Sequence, residues 1–240
     1  MSLPAPGSTV PGRGAWTKGG HATGRDYYVW LWYWYNDGFD PEKSYSHRAV
    51  HLGVCGIQQM LLLTGGTVKV SGKYDQQTAK AVKAFQAGRS LKADGVYGPA
   101  TAQKLTRVLI TFMANHHDVP PEIIWGFTAL ESGFDPAAVG VVNGYDSGLC
   151  QINLEPAAHG NQVTPEMAFN PYFNIDYTCR RFKAALAKFD DKGPALQLDC
   201  AIIQHNSPKA AQEIYEVGWV GPDEKAGIYL ALVKSRAETY

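Results

Sequence analysis

Charge of a single sign is what this chain conspicuously lacks. Lys and Arg number 22, Asp and Glu 22, and the formal net charge is zero. That balance excludes the basic stripe that follows a nucleic-acid backbone, so no nucleic acid is expected as a partner. Long apolar runs are missing too. The aromatic and apolar run Tyr27 to Tyr35 falls far short of the roughly 20 residues that span a bilayer, so no membrane insertion is expected. The first residues, Met1 to Ser8, show no basic segment followed by an apolar core, and no signal peptide is expected. Cysteine is sparse: Cys55, Cys150, Cys179 and Cys200. Their spacing fits no zinc template. Free buried thiols are expected, as in a protein folded in a reducing cytoplasm, with a bridge among the last three as the alternative. No His-Glu-x-x-His occurs, and His116, His117 and His159 have no convincing set of ligand partners. No metal and no organic cofactor is expected.

What is present is enough apolar material, 45% of 240 residues, for one large domain or two small ones. Residues 1–46 form a Gly- and Pro-rich leader with the aromatic segment, expected to pack on the domain that follows. Periodicity does not decide whether the run 27–35 is helix or strand. Its Trp30, Trp32 and Trp34 would either stack on sugar rings or complete a small core.

Residues 47–109 contain an internal repeat. Gly72, Tyr74, Thr78, Ala79 and Val82 are mirrored by Gly95, Tyr97, Thr101, Ala102 and Leu105. Each copy is a Gly turn leading into a helix. Asp75 suits the N-cap of the first and Pro99 the first turn of the second. Ala81, Val82 and Phe85 are predicted to pack against Ile57, Leu61 and Leu105. The helix Val54 to Leu62 with Gln58 and Gln59, the pair Phe85-Gln86, and Asp94-Gly95-Val96-Tyr97-Gly98-Pro99 with Thr101 together resemble the peptidoglycan-binding domain found beside many wall hydrolases. The resemblance implies a small three-helix module, either binding wall or serving only as structure.

Residues 110–240 read as mostly helical, with few linker residues near 105–112 and hence a fixed arrangement expected. Helices are predicted at Val108 to His116, from Asp118-Val119-Pro120-Pro121-Glu122 to a stop at Gly133, at Asn174 to Lys188, at Leu196 to His205 and at Lys225 to Arg236. A small hairpin is predicted near 139–153.

Glu131 ends the second of these helices. A carboxylic acid delivers a proton near neutral pH when its pKa is raised. Burial beside Phe127, Leu130 and Phe134, and the negative end of a helix, would both act in that direction. The bland alternative is an exposed acid at a helix end. Downstream lie Gly148-Leu149-Cys150-Gln151-Ile152, then Asn170-Pro171, Asn174-Ile175, Gln204-His205-Asn206-Ser207-Pro208, and Tyr229 with Val233. Together with Glu131-Ser132 and Phe134-Asp135-Pro136, these resemble the motifs of the lytic transglycosylases and phage lysins of the lysozyme-like superfamily. Two departures stand out: Cys150 where Met or Phe is usual, and His205 in place of Tyr.

The resemblance implies Glu131 as general acid and later base, oriented by Ser132 and Tyr229. Gln151 and Asn206 would hydrogen-bond N-acetyl groups or backbone near the scissile bond, with Asn153 and His205 in the substrate site. Gln151 as a turn-stabilising amide, Tyr229 as a core residue and His205 as a filler of the Tyr position are the structural alternatives. Asp146, in Asp146-Ser147-Gly148-Leu149-Cys150-Gln151-Ile152-Asn153, resembles a segment of animal-type lysozymes. It would act as a second catalytic acid across the cleft or cap a turn.

The expected architecture is mainly α: a three-helix peptidoglycan-binding domain, then a lysozyme-like catalytic domain with a β-hairpin. The resemblance implies a bacteriophage endolysin, a monomer, that cleaves the β-1,4 bond between N-acetylmuramic acid and N-acetylglucosamine in peptidoglycan glycan strands. It would be made in the host cytoplasm and act at the wall after release. A virion-borne lysin that cuts during entry, a noncatalytic wall-binding protein and a zinc-dependent amidase or peptidase are the rival readings.

Overall fold

The computed structural model describes residues 45–140, 146–154, 163–218 and 225–240. The aromatic run 27–35, the rest of the leader 1–44 and His159 lie outside the described residues. The helices are α1 (Tyr45–Leu63), α2 (Gln76–Ala87), α3 (Pro99–His117), α4 (Pro121–Glu131), α5 (Pro165–Ala168), α6 (Pro171–Lys188), α7 (Pro194–Asn206), α8 (Pro208–Val217) and α9 (Lys225–Ala237). Strands β1 (Asp146–Ser147) and β2 (Ile152–Asn153) pair antiparallel between α4 and α5. The fold is mainly helical with one small hairpin, as the sequence leads one to expect. No described helix is long and apolar enough to cross a membrane. The four cysteines carry free thiols; Cys55 is half-buried and the other three are buried.

The described residues divide into two packing units. One holds those up to Leu109 together with Glu131–Asn174; the other holds Ile110–Leu130 with Ile175–Tyr240.

In the first unit, the internal repeat has a physical basis. Gln58 is fully buried and its amide oxygen accepts from the Gly72 N–H at 3.1 Å. Its Nε2 donates to the Lys73 carbonyl and to Thr78 Oγ1, both at 2.9 Å. Gln86 does the same one copy later. It accepts from the Gly95 N–H at 2.8 Å and donates to the Val96 carbonyl and Thr101 Oγ1, both at 2.9 Å. Each turn needs its glycine, because φ is +69° at Gly72 and +77° at Gly95. Asp75 caps α2, its carboxylate accepting from the Thr78 N–H at 2.8 Å. Ile57, Leu61, Val82, Phe85 and Leu105 are buried, the predicted core of this module.

The same unit contains the hairpin. α1 meets the start of α6 at Gly56, where an added Cβ would lie 1.7 Å from Pro171 Cδ. Only glycine leaves room there for the proline ring.

α3 runs unbroken from Pro99 to His117. Residues 100–117 contain no Gly or Pro to interrupt it, so the stretch 105–112, read from sequence as holding few linker residues, is helical.

In the second unit, α9 packs backbone to backbone on α4: a Cβ at Gly126 would fall 2.5 Å from the Val233 carbonyl oxygen. Trp125 Nε1 donates to Thr239 Oγ1 at 3.0 Å, tying the chain end to the same helix. His117 Nε2 and Asp176 Oδ1 stand 2.7 Å apart, and Lys183 donates to Asp118 at 2.9 Å.

Candidate functional site

Glu131 is the last residue of α4 and is half-buried. Ile123, Ile124 and Phe127 form the buried face that fixes this helix. It ends because Gly133 takes φ +59° and Phe134 φ +70°. A bulky residue in the left-handed region is strained; here Phe134 is held there by burial, with 4% of its surface exposed.

The turn after Glu131 is fastened to the hairpin. Ser132 Oγ donates to the Leu149 carbonyl at 2.8 Å. The Ala138 carbonyl accepts from the Gly148 N–H at 2.8 Å and from Gln151 Nε2 at 3.2 Å. Gly140 N–H donates to the Asp146 carbonyl at 2.7 Å. Gln151 Nε2 also reaches the Gly148 carbonyl at 2.9 Å, so its donors are committed to the turn. This is the turn-stabilising alternative considered for Gln151, and it leaves the amide oxygen for other work. Gln151 itself has φ +50° and Gly148 φ +76°. Left-handed residues thus cluster on both sides of the Glu131 turn, a concentration typical of functional sites.

Gly148 is irreplaceable on steric grounds. A Cβ there would sit 2.2 Å from the Ala168 carbonyl oxygen and 2.6 Å from Asn174 Nδ2. Asn174, fully buried in the first turn of α6, straps the hairpin. Its Oδ1 accepts from the Cys150 N–H at 2.9 Å, and its Nδ2 donates to the carbonyls of Ser147 at 3.1 Å and Ala168 at 2.8 Å. Sequence reading placed Asn174 at a helix start and gave it no part in the site. The signal for its role is a short amide side chain spaced to face a Gly-containing turn.

Asp146 and Asn153 are register partners in the hairpin, and Asn153 Nδ2 donates to Asp146 Oδ1 at 2.9 Å. Asp135, also absent from the predicted site, is 1% exposed. Its Oδ1 accepts from the Ala137 N–H at 2.8 Å, and burial pushes its carboxyl well above the usual carboxylate range.

Glu131, Ser132, Asp146, Gln151 and Asn153 all belong to the first unit; His205, Asn206 and Tyr229 belong to the second. There, the half-buried His205 stacks on the Phe127 ring with centroids 4.4 Å apart and planes 27° from parallel. Asn206 closes α7 and is exposed. Tyr229 lies on α9, one turn before the buried Val233. A shallow depression is lined by Arg181, Phe182, Ala185, Ala201, Gln204 and His205. Among the described residues, no group of three His, Cys, Asp or Glu is placed to hold a metal ion.

Residues 52–105 match the peptidoglycan binding domain family, and residues 109–208 match the Transglycosylase SLT domain family. No curated protein matches the chain. The first match names peptidoglycan and the second a transglycosylase, which together support peptidoglycan as the partner and the cell wall as the place of action. The chain thus contains a peptidoglycan-binding domain followed by an SLT transglycosylase domain, which marks it as a peptidoglycan glycosidase of the lytic transglycosylase type.

Proposed function

We propose that the protein cuts the β-1,4 bond between N-acetylmuramic acid and N-acetylglucosamine, with Glu131 as general acid and then base. The observation that carries this reading is the strained turn after Glu131, stapled to the Gly148–Gln151 hairpin through Ser132, Ala138 and Gly140. In the first step Glu131 protonates the leaving glycosidic oxygen as the bond to C1 breaks. The 6-hydroxyl of the same muramic residue attacks C1, and the Glu131 carboxylate takes the hydroxyl proton. The product carries a 1,6-anhydro end and no water is consumed. Asp146 serves the hairpin in this scheme, a role supported by its bond from Asn153.

Ser132 positions Glu131 by holding its turn, and Tyr229 is assigned the supporting role by the family resemblance alone. Gln151, Asn153, His205 and Asn206 contact the sugar. Residues 47–109 hold the wall while 110–240 cut it, and tethering raises the local concentration of the cutting site on the polymer. The molecule works as a monomeric lysin of the kind bacteriophages use to open a host cell from within.

Mass spectrometry of muropeptides released from purified sacculi tests the chemistry. Anhydro-muramic ends are expected from the wild-type protein and no release from Glu131→Gln. Release by Glu131→Gln would remove that residue from the mechanism. Reducing ends would replace the internal hydroxyl by water and return Asp146 to the reaction. Clearing of outer-membrane-permeabilised cells by the wild type, but not by Glu131→Gln, tests the lytic role.

A further inference from the structure

The basic side chains of α6 are Arg180, Arg181, Lys183 and Lys188. Three of them are engaged. Arg180 Nε donates to Asp176 Oδ2 at 2.9 Å, Lys183 Nζ to Asp118 Oδ2 at 2.9 Å, and Lys188 Nζ to Gln204 Oε1 at 3.2 Å. Arg181 donates to no acceptor and pairs with no anion among the described residues. Its guanidinium carbon stands 5.7 Å from the centroid of the Tyr177 ring. A ring carries no lone pair, so the five N–H donors of this always-charged group keep their capacity for an anion.

Arg181 borders the depression between α6 and α7, together with Gln204 and His205. The apolar part of the lining is Phe182, Ala185 and Ala201, all buried. No carboxylate lines it. The Gln204 oxygen is taken by Lys188, and its amide nitrogen makes no hydrogen bond among the described residues, so two further donors are available. His205 is fixed at the same place by its stack on Phe127. The depression therefore offers positive charge and N–H donors above a small apolar surface. The complementary ligand carries a planar carboxylate, which a guanidinium fork can bind through two parallel bonds, beside a group no larger than a methyl. Peptidoglycan, the partner supported above, has that combination in its stem peptide: alanine methyls next to free carboxylates. N-acetylglucosamine is neutral and has neither. The peptide hangs from muramic acid, so a subsite next to a sugar-contacting His205 lies where the peptide leaves the glycan.

We propose that the depression between α6 and α7 is a stem-peptide subsite, in which Arg181 and Gln204 bind a peptide carboxylate beside His205. This rests on the reading of the protein as a muramic-acid-cleaving enzyme with His205 on the sugar. The enzyme then distinguishes glycan that still carries its peptides from glycan that has been stripped of them. Arg180 supplies an internal control: it is the adjacent residue on the same helix and has the same charge, but Asp176 already occupies it.

Steady-state turnover by the full-length protein tests this on three soluble oligosaccharides: one with intact stem peptides, one with the peptides removed by an amidase, and one with the stem carboxylates converted to amides. The wild type is expected to favour the intact substrate about 10-fold in kcat/KM over either of the others, the worth of a charge-assisted hydrogen bond. In Arg181→Gln that ratio is expected to fall to about 1, and in Arg180→Gln to stay near the wild-type value. An Arg181→Gln protein that keeps the preference, a wild type without one, an Arg180→Gln protein that loses it equally, or amidated stems cut as fast as free acids would each overturn the proposal. The free stem tetrapeptide contains no glycosidic bond, so its binding to the full chain, followed by titration calorimetry, judges the subsite apart from the chemistry. Affinity about 10-fold weaker in Arg181→Gln is expected, and equal affinity overturns the subsite. Turnover by Glu131→Gln on the intact substrate discards only the catalytic assignment.

Discussion

Asn153 Nδ2 donates to Asp146 Oδ1 at 2.9 Å, and the two residues face each other across the hairpin. An acid engaged in this way closes a turn. Asn at position 146 keeps an oxygen that accepts the same bond. Asp146→Asn is therefore expected to retain muropeptide release within about 3-fold of wild type, and Asp146→Ala to lose about 1 kcal/mol of stability. A drop of several orders of magnitude in Asp146→Asn, with an unchanged melting curve, would make Asp146 a catalytic acid.

Gly148→Ala probes the contact between the hairpin and α6. The new methyl would meet a backbone carbonyl at 2.2 Å and sit on a residue with φ +76°. Neither the strand nor the helix start can yield without releasing the Asn174 strap. A loss of about 3 kcal/mol in denaturant unfolding is expected. Activity should disappear before global structure does, because the Glu131 turn hangs on the same hairpin. Wild-type turnover by Gly148→Ala would refute this.

The two repeat glutamines should be equally indispensable. Gln58→Ala or Gln86→Ala strands a buried Gly N–H, Gly72 in the first case and Gly95 in the second, for an expected cost of about 2 kcal/mol each. Chemical denaturation of the two single variants checks it. A marked asymmetry, with one variant near wild type, would mean that only one copy of the repeat carries the module.

Asp135 has a consequence for pH. Its folded carboxyl lies above the ordinary value of 3.8. Its stabilising contribution is therefore fully present below the unfolded value and is lost as pH rises through the folded one. Asp135→Asn cannot titrate. The melting temperature of this variant minus that of the wild type should accordingly grow in the variant's favour as pH climbs from acid toward neutral. A difference independent of pH would show that Asp135 ionises as freely in the fold as in the unfolded chain.

Much of this was legible in the residues because local rules and tertiary needs agree. Asp75, Gly133 and the paired Gly turns at 72 and 95 mark element ends by conformation alone. The hairpin between 139 and 153 is likewise visible in its turn residues. α8 is not anticipated, although Ser207 accepts from the Ala210 N–H at 3.3 Å, Pro208 occupies the first turn and Gly218 ends the helix at φ +82°. A motif comparison that stops at Pro208 reads those residues as loop. The role of Asn174 escapes for another reason: it depends on partners distant in sequence, while nothing in the residues around Asp135 advertises that its side chain is buried. His205 shows the intermediate case. Its departure from the Tyr pattern is plain in sequence, while the Phe127 ring it leans on appears only in three dimensions.

The contact of Gly56 with Pro171 bears on how such proteins are assembled from parts. Two families meet in the sequence between residues 105 and 109, a natural crossover point for swapping one wall-targeting cassette for another. Pro171 belongs to the second family and fits against the first only because position 56 carries no side chain. A chimera joined at that seam inherits the catalytic half with its socket missing, unless the incoming cassette also brings a small residue there. Retargeting this enzyme is thus a matter of transplanting a wall-reading surface onto the resident helices, not of exchanging the helices themselves.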